Sequence, residues 1–332
     1  MRIGTESGFH KKDLAGLQRQ CLPPPDDWIA AIIAQKDDNA DRLRHAFTHL
    51  HTASGRAHWG AATRHRAPNK PLLLLTVIDL FAQGLITANL IEPSDDLIDL
   101  FGLYWALVMP LDRRGNLAMP FFHLRTEGFW QLVPRPGQEA ALAAVKSISS
   151  LNQLHALLLG ARLDDELYLL LGTADGQEQL RSVLINTYFV PDLHTALRAQ
   201  AVTNQAAFQY SLTLVAEAKS GKRLQEPLMP YTTIPPIVRD QGFRRAVVTA
   251  YTHRCAFCGI RMRTIDGHTA VDAAHIIPWS ISHNDDPRNG LALCKLCHWS
   301  FDEGLLGVSQ RYQVITSKAL TAVMASRAPD MP

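Results

Sequence analysis

Two Cys-x-x-Cys pairs, Cys255-Ala-Phe-Cys258 and Cys294-Lys-Leu-Cys297, leave the C-terminal part of this 332-residue chain few ways to fold. In a reducing compartment each pair turns two thiolates toward one point, and two such pairs build a tetrahedral zinc site. A redox disulfide would need only one pair. The segment around them has little core of its own, and zinc binding stabilises comparable small domains by as much as roughly 10 kcal/mol. A four-thiolate site has no open coordination position, so this zinc is read as structural and any chemistry must come from other side chains. The fifth cysteine, Cys21, stands apart as a bystander.

Length and composition bound the rest. A chain this long exceeds what one core normally serves, so two domains of roughly 100 to 200 residues are expected. With 47% hydrophobic and 19% charged residues it is a globular sequence, which excludes a disordered chain or a coiled coil. The longest apolar run, Pro71 to Phe81, is interrupted by Asp79 and is about half the roughly 20 residues of a membrane span. The N-terminus, MRIGTESGFHKKDL, lacks the apolar core of a secretory signal, which points to the cytoplasm.

A formal charge of +2 advertises no polyanionic partner globally, so local clustering decides. Between Asp41 and Lys70 six Lys/Arg residues face one acid and are joined by five of the fourteen histidines. That stretch is a locally positive surface. The acidic run Glu92 to Asp99 reads as solvated surface that would repel phosphates.

Along the chain, residues 1–40 read as a leader ending in Pro23-Pro24-Pro25 and a first helix through Trp28, Ile32 and Ile33. Pro68, Pro71 and Gly84 punctuate a buried helix, PLLLLTVIDLFA. The piece NLAMPFFHLRTEGFWQL reads as two short strands with a turn at Glu127-Gly128, its aromatic residues being core. Helical patterns return over 139–150, 164–171 and 176–185. Residues 220–238 hold four of the nineteen prolines and no helical period, a linker between a domain over 41–219 and one over 239–332. A short helix over 242–251 opens the second. The fold class is α+β: a mainly α first domain with a small sheet, and a zinc-stapled second module.

Between and just after the knuckles lie Ala274-His275-Ile276-Ile277-Pro278, Asn289-Gly290-Leu291-Ala292-Leu293-Cys294, and Cys297-His298 followed by Phe301-Asp302 and Gly304-Leu305. A strand ending in His, a loop with Asn and a helix with His is the ββα-metal order, and here the chain resembles the HNH endonuclease family. The resemblance implies DNA phosphodiester hydrolysis. His275 would be the base that activates water, Asn289 the residue that orients His275 and fixes the loop, and His298 a ligand of a catalytic Mg2+ or Mn2+. An imidazole with an ordinary pKa near 6.5 suits the base role at neutral pH, and a cation would neutralise charge growing on the phosphate. Many members carry an Asp before the base as a second metal ligand. Ala274 stands there, so Asp272 is the substitute, with His283, Asp285 and Asp302 as further candidates.

Arg64-His65-Arg66-Ala67-Pro68-Asn69-Lys70-Pro71 and the leucines after it, followed by Pro120-Phe121-Phe122-His123 and Gly128-Phe129-Trp130, resemble the sulfur-binding domain of phosphorothioate-dependent type IV restriction endonucleases over residues 40–200. The resemblance implies a DNA-binding loop of Arg64, His65, Arg66 and Lys70, and a sulfur pocket of Met119, Pro120 and His123, with Met119 where a Tyr is expected. The combined reading is a restriction endonuclease cutting double-stranded DNA that carries a phosphorothioate. Cutting both strands takes two sites or two visits, which a homodimer would satisfy. Its rivals are an HNH endonuclease reading methylated or unmodified DNA, and a zinc module that only binds DNA; a pure binder has no use for His275, Asn289 and His298 together.

Overall fold

The computed structural model describes residues 39–110, 112–221, 234–264 and 267–318. The proposed leader and first helix before residue 39, Cys21, and most of the proposed linker lie outside them. The chain divides into two units at Arg42/Leu43. Of the first unit residues 39–42 are described and are helical. The second unit runs from Leu43 onward without a division at the proposed linker; its parts before and after that segment are called the first and second module below.

Helical residues 43–48 lead through a 3-10 turn, Ala61–Thr63, to α1 (Asn69–Ala82) and α2 (Asp95–Val108). The first is buried from Lys70 to Leu80. The second starts on Ser94, whose hydroxyl accepts from the Leu97 amide, with Asp95 and Asp96 in its first turn where the helix dipole favours them. Next comes α3 (Ala118–His123), where the sequence reading places a strand. Asn116 decides the difference: its Oδ1 accepts from the amides of Ala118 and Met119, starting a helix that buries Phe121 and Phe122. Only β1 (Trp130–Pro134) is extended, with Gly128 at φ +82° making the turn before it.

After α4 (Glu139–Ala144) and α5 (Leu151–Leu157), β2 (Leu158–Leu163) pairs antiparallel with β1, Trp130 opposite Leu163. Then α6 (Asp165–Leu171) and α7 (Ala174–Tyr188) precede α8, a helix running from Pro191 to Lys219. The second module opens with α9 (Pro236–Ala250), which starts inside the proposed linker with Pro at its first position. Strands β3 (Val271–His275) and β4 (Gly290–Cys294) pair antiparallel, His275 opposite Gly290, and α10 (Lys295–Asp302) follows directly. A last pair, β5 (Leu306–Val308) and β6 (Val314–Thr316), completes an α+β chain built of helices and two-stranded sheets. No helix among the described residues is long and apolar enough to cross a membrane.

The buried residues form two clusters, one from Leu43 to Leu197 and one from Leu214 to Cys297. Helix α8 supplies Leu197 to the first and Leu214 to the second, positions about 25 Å apart along its axis at 1.5 Å per residue. In the first core Asp79 is 2% exposed and accepts from Arg181 (2.7 Å), Tyr104 (2.9 Å) and Asn204 (2.7 Å), one donor each from α7, α2 and α8. Burial pushes its carboxyl up, and Arg181 with the other donors offsets part of that cost.

The acidic run is not plain solvated surface. Asp95 accepts from Arg263 and lies 3.1 Å from His253 Nε2, Asp96 pairs with Arg245 at 2.9 Å, and Asp99 pairs with Arg244 at 3.4 Å. These acids of α2 meet cations of the second module. Burial alone would raise the Asp95 carboxyl, yet the hydrogen bonds and charges of His253 and Arg263 hold it well below the usual carboxylate range. A depressed folded value gives stabilisation that is fully present above the unfolded pKa of about 3.9 and is lost as pH falls through the folded value. We therefore expect Asp95→Asn to lower the calorimetric Tm at pH 7, and the gap between variant and wild type to shrink as pH falls from 5 to 2 and in 1 M salt. An unchanged gap at low pH would mean that the charge contributes nothing.

Candidate active site and metal centre

Cys255, Cys258, Cys294 and Cys297 bring their sulfur atoms within 4.8 Å of one another. The Cys258–Cys294 separation is 3.8 Å, and four sulfurs bound tetrahedrally at about 2.3 Å from zinc would stand about 3.8 Å apart. The thiols therefore fit a single zinc ion. Local structure sets them up: Cys294 ends β4 and caps α10, Cys297 lies in the first turn of that helix, and the first knuckle is tied to the sheet by the Ala256 amide donating 2.7 Å to Ala292 O. Although burial would raise the Cys255 thiol, amides of Cys258, Cys294 and Phe257 donate to it and bring it down to about 7. Cys297 is pushed up by burial and by the three neighbouring sulfurs. Four thiolates this close repel one another, and a bound dication supplies the compensating charge.

His275 closes β3. Its ring stacks on Phe243 of α9, with centroids 3.9 Å apart and planes within 5°. Nε2 lies 2.8 Å from Asp285 Oδ1, a carboxylate only 5% exposed. Nδ1 has no protein partner among the described residues, and the side chain is 20% exposed. Gly290 makes this packing feasible, since a Cβ there would stand 2.4 Å from Val247 Cγ2 and 3.1 Å from Phe243 Cζ. The Asn-Gly step is thus demanded by close approach of α9 rather than by backbone angle.

Asn289 is 2% exposed and fixes the loop: Oδ1 accepts from the Ile277 amide at 2.9 Å, and Nδ2 donates to Ile277 O and Asn284 O at 3.1 Å each. None of these bonds reaches the His275 ring, whose contacts are with Asp285 and Phe243. His298 stands on α10 with Nε2 3.6 Å from Asp302 Oδ2. Asp272 is elsewhere. Side chains alternate along β3, so it sits on the opposite face from His275, and its carboxylate pairs with Arg244 at 3.0 Å. Among the described residues the four thiols are the group of three or more side chains close enough to hold a metal; Asp272 and His298 are not joined in one. Of the metal ligands expected from the sequence, Asp272 as the substitute is thus engaged by Arg244, and His298 stands beside Asp302.

In the first module, Arg64 is committed to backbone carbonyls, its guanidinium donating to Phe189 O and Asn186 O at 3.1 Å each and so closing the C-terminus of α7. Lys70 is 8% exposed and paired with Glu127. His65 uses Nδ1 on Trp59 O at 2.9 Å. Arg66 is exposed, and it alone of the four has no side-chain partner among the described residues. Met119 is 43% exposed, Pro120 is buried, and His123 is half-buried with Nε2 3.4 Å from Ser147 Oγ. Burial and the charges of Lys70 and Arg125 lower the His123 pKa, which keeps the ring neutral at pH 7.

Residues 255–309 match the family model of HNH endonucleases. None of the curated proteins compared with the chain matches it. The matched segment contains all four thiols, His275, Asp285, Asn289 and His298; Phe243, which stacks on His275, precedes it.

Elemental analysis of the purified chain should find close to one zinc per molecule, and Cys294→Ser should give an insoluble or unfolded C-terminal module, because the metal is part of its fold. A soluble, folded Cys294→Ser protein free of zinc would refute this.

Proposed function

We propose that this chain is an HNH-type DNA endonuclease that restricts phosphorothioate-bearing DNA, its first module selecting the target and its second hydrolysing the phosphodiester. The observation that carries the nuclease half is His275, inside the matched segment, with one ring nitrogen engaged and the other without a partner among the described residues. Nδ1 is the atom that would accept the proton of a water as its oxygen bonds to phosphorus and the bridging P–O bond breaks. The chain's own donors for a divalent cation are His298 and Asp302, so Mg2+ or Mn2+ would need phosphate oxygens of the DNA to complete its shell. A homodimer would present two such sites to the two strands.

The reader half is supported by the loop and by α3. Arg64 and His65 are consecutive non-glycine residues at φ 50° and 59°, a conformation costing about 1–2 kcal/mol per residue. The bonds of Arg64 to Phe189 O and Asn186 O and of His65 to Trp59 O offset that cost and fix the turn that leads to the exposed Arg66. Sulfur on a phosphate is poorly hydrated compared with oxygen, so the exposed apolar surface of Met119, backed by the buried Pro120 and next to His123, whose pKa is lowered, favours it over an oxygen that needs donors.

Matched plasmids with and without phosphorothioate, incubated with Mg2+ or Mn2+, test both halves. Cleavage confined to the modified plasmid is expected; equal cleavage would promote a reader of methylated or unmodified DNA, and none would promote a zinc module that only binds. His275→Ala should keep DNA affinity and lose at least about a hundredfold in rate. Arg66→Ala should weaken binding to all duplexes and reduce the slope of log K against log salt by about one. Met119→Asp, at an exposed position, should remove the preference for sulfur without unfolding the chain.

A further inference from the structure

The hydrogen bond between His275 Nε2 and Asp285 Oδ1 fixes which ring nitrogen carries a proton, because a carboxylate can only accept. Asp285 is itself held: its Oδ2 accepts from Tyr210 OH at 3.0 Å, and Arg239 Nε stands 3.6 Å away. Tyr210 belongs to α8, and it reaches this carboxylate because α9 carries Gly242 at the crossing. A Cβ on Gly242 would lie 2.9 Å from Ala207 O and 2.7 Å from the Tyr210 ring. Glycine inside a helix costs about 1 kcal/mol relative to alanine, and the close approach of α8 requires it here.

We propose that Asp285 and Tyr210 are positioning residues for the base: they select the Nε2–H tautomer of His275 and leave Nδ1 as the atom that takes the proton from water. The proposal rests on the nuclease reading of the second module. It goes beyond that reading in placing two supports of the base, Tyr210 and Phe243, on helices outside the matched residues 255–309.

The test uses the full zinc-loaded chain and two near-isosteric variants, Asp285→Asn and Tyr210→Phe, with zinc content and circular dichroism confirming the fold. The tautomer of His275 is read from nitrogen chemical shifts of protein labelled with 15N-histidine, its signal assigned by loss in His275→Ala. The wild type should show Nε2–H. In Asp285→Asn the amide can donate to Nε2, so the population should move toward Nδ1–H, and kcat on DNA should fall at least about tenfold with KM within about twofold. Tyr210→Phe should lower kcat about two- to fivefold, and Asp285→Glu should recover part of the rate. Wild-type His275 in the Nδ1–H form, or a tautomer and kcat unmoved by Asp285→Asn, would overturn the proposal. A chain that cuts no DNA yet shows the Asp285-dependent tautomer fails the nuclease reading alone; a chain that cuts with an Asp285-independent tautomer fails the positioning proposal alone.

Discussion

Four sulfur atoms within 4.8 Å of one another are the constraint on which the C-terminal module depends. The first knuckle is held to β4 through Ala256 and Ala292, and the second ends that strand and begins α10. One ion bound by these thiols would tie loop, sheet and helix together at a single point. The two strands offer only short runs of buried apolar residues, Val271 and Ala274 on one and Leu291, Ala292 and Leu293 on the other. Without compensating charge the thiolates would repel, and this core is small for folding alone.

The thiol cage lies on one side of the module, and α8 packs on it from outside the matched segment. That helix carries Asn204 to the buried carboxylate of Asp79 in the first core and Tyr210 to the buried carboxylate of Asp285 in the second. Both are polar groups removed from water, and each has its donors in place; an unmet bond at such a site costs about 1–3 kcal/mol. The two networks lie less than two helical turns apart on one helix.

The thiol cage, the order of His275, Asn289 and His298, and the buried leucine helix were legible in the sequence, because each rests on spacing or on a local apolar run. The long helix α8 was not. Its buried face reads Leu197, Asn204, Ala207, Phe208, Ser211 and Leu214, with polar residues at two positions a heptad would fill with apolar ones. Asp285 was legible only as one acid among several metal-ligand candidates, since its partners Tyr210 and His275 are distant in the chain. Lys70 and Arg64 looked like DNA contacts by charge, and only tertiary structure shows the acid and the carbonyls that claim them. The acidic run of α2 was misjudged for the same reason: its cations lie about 150 residues onward, at Arg244, Arg245 and Arg263.

Two kinds of contact join the cores, and their strengths differ. The ion pairs from α2 are partly exposed, with Asp95 at 42%, Asp96 at 36% and Asp99 at 35%, where a pair is worth about 0–1 kcal/mol and is screened by salt. The α8–α9 crossing is closely packed at Gly242, where a Cβ would stand 2.9 Å from Ala207 O. The crossing thus relies on close packing that salt does not screen, while the exposed ion pairs add smaller, salt-sensitive contributions. Arg244 is the side chain where these effects meet, because it pairs with Asp99 of α2 and with Asp272 on the strand that carries His275. Its guanidinium thus links the acidic face of α2 to the strand that carries His275 through a single side chain.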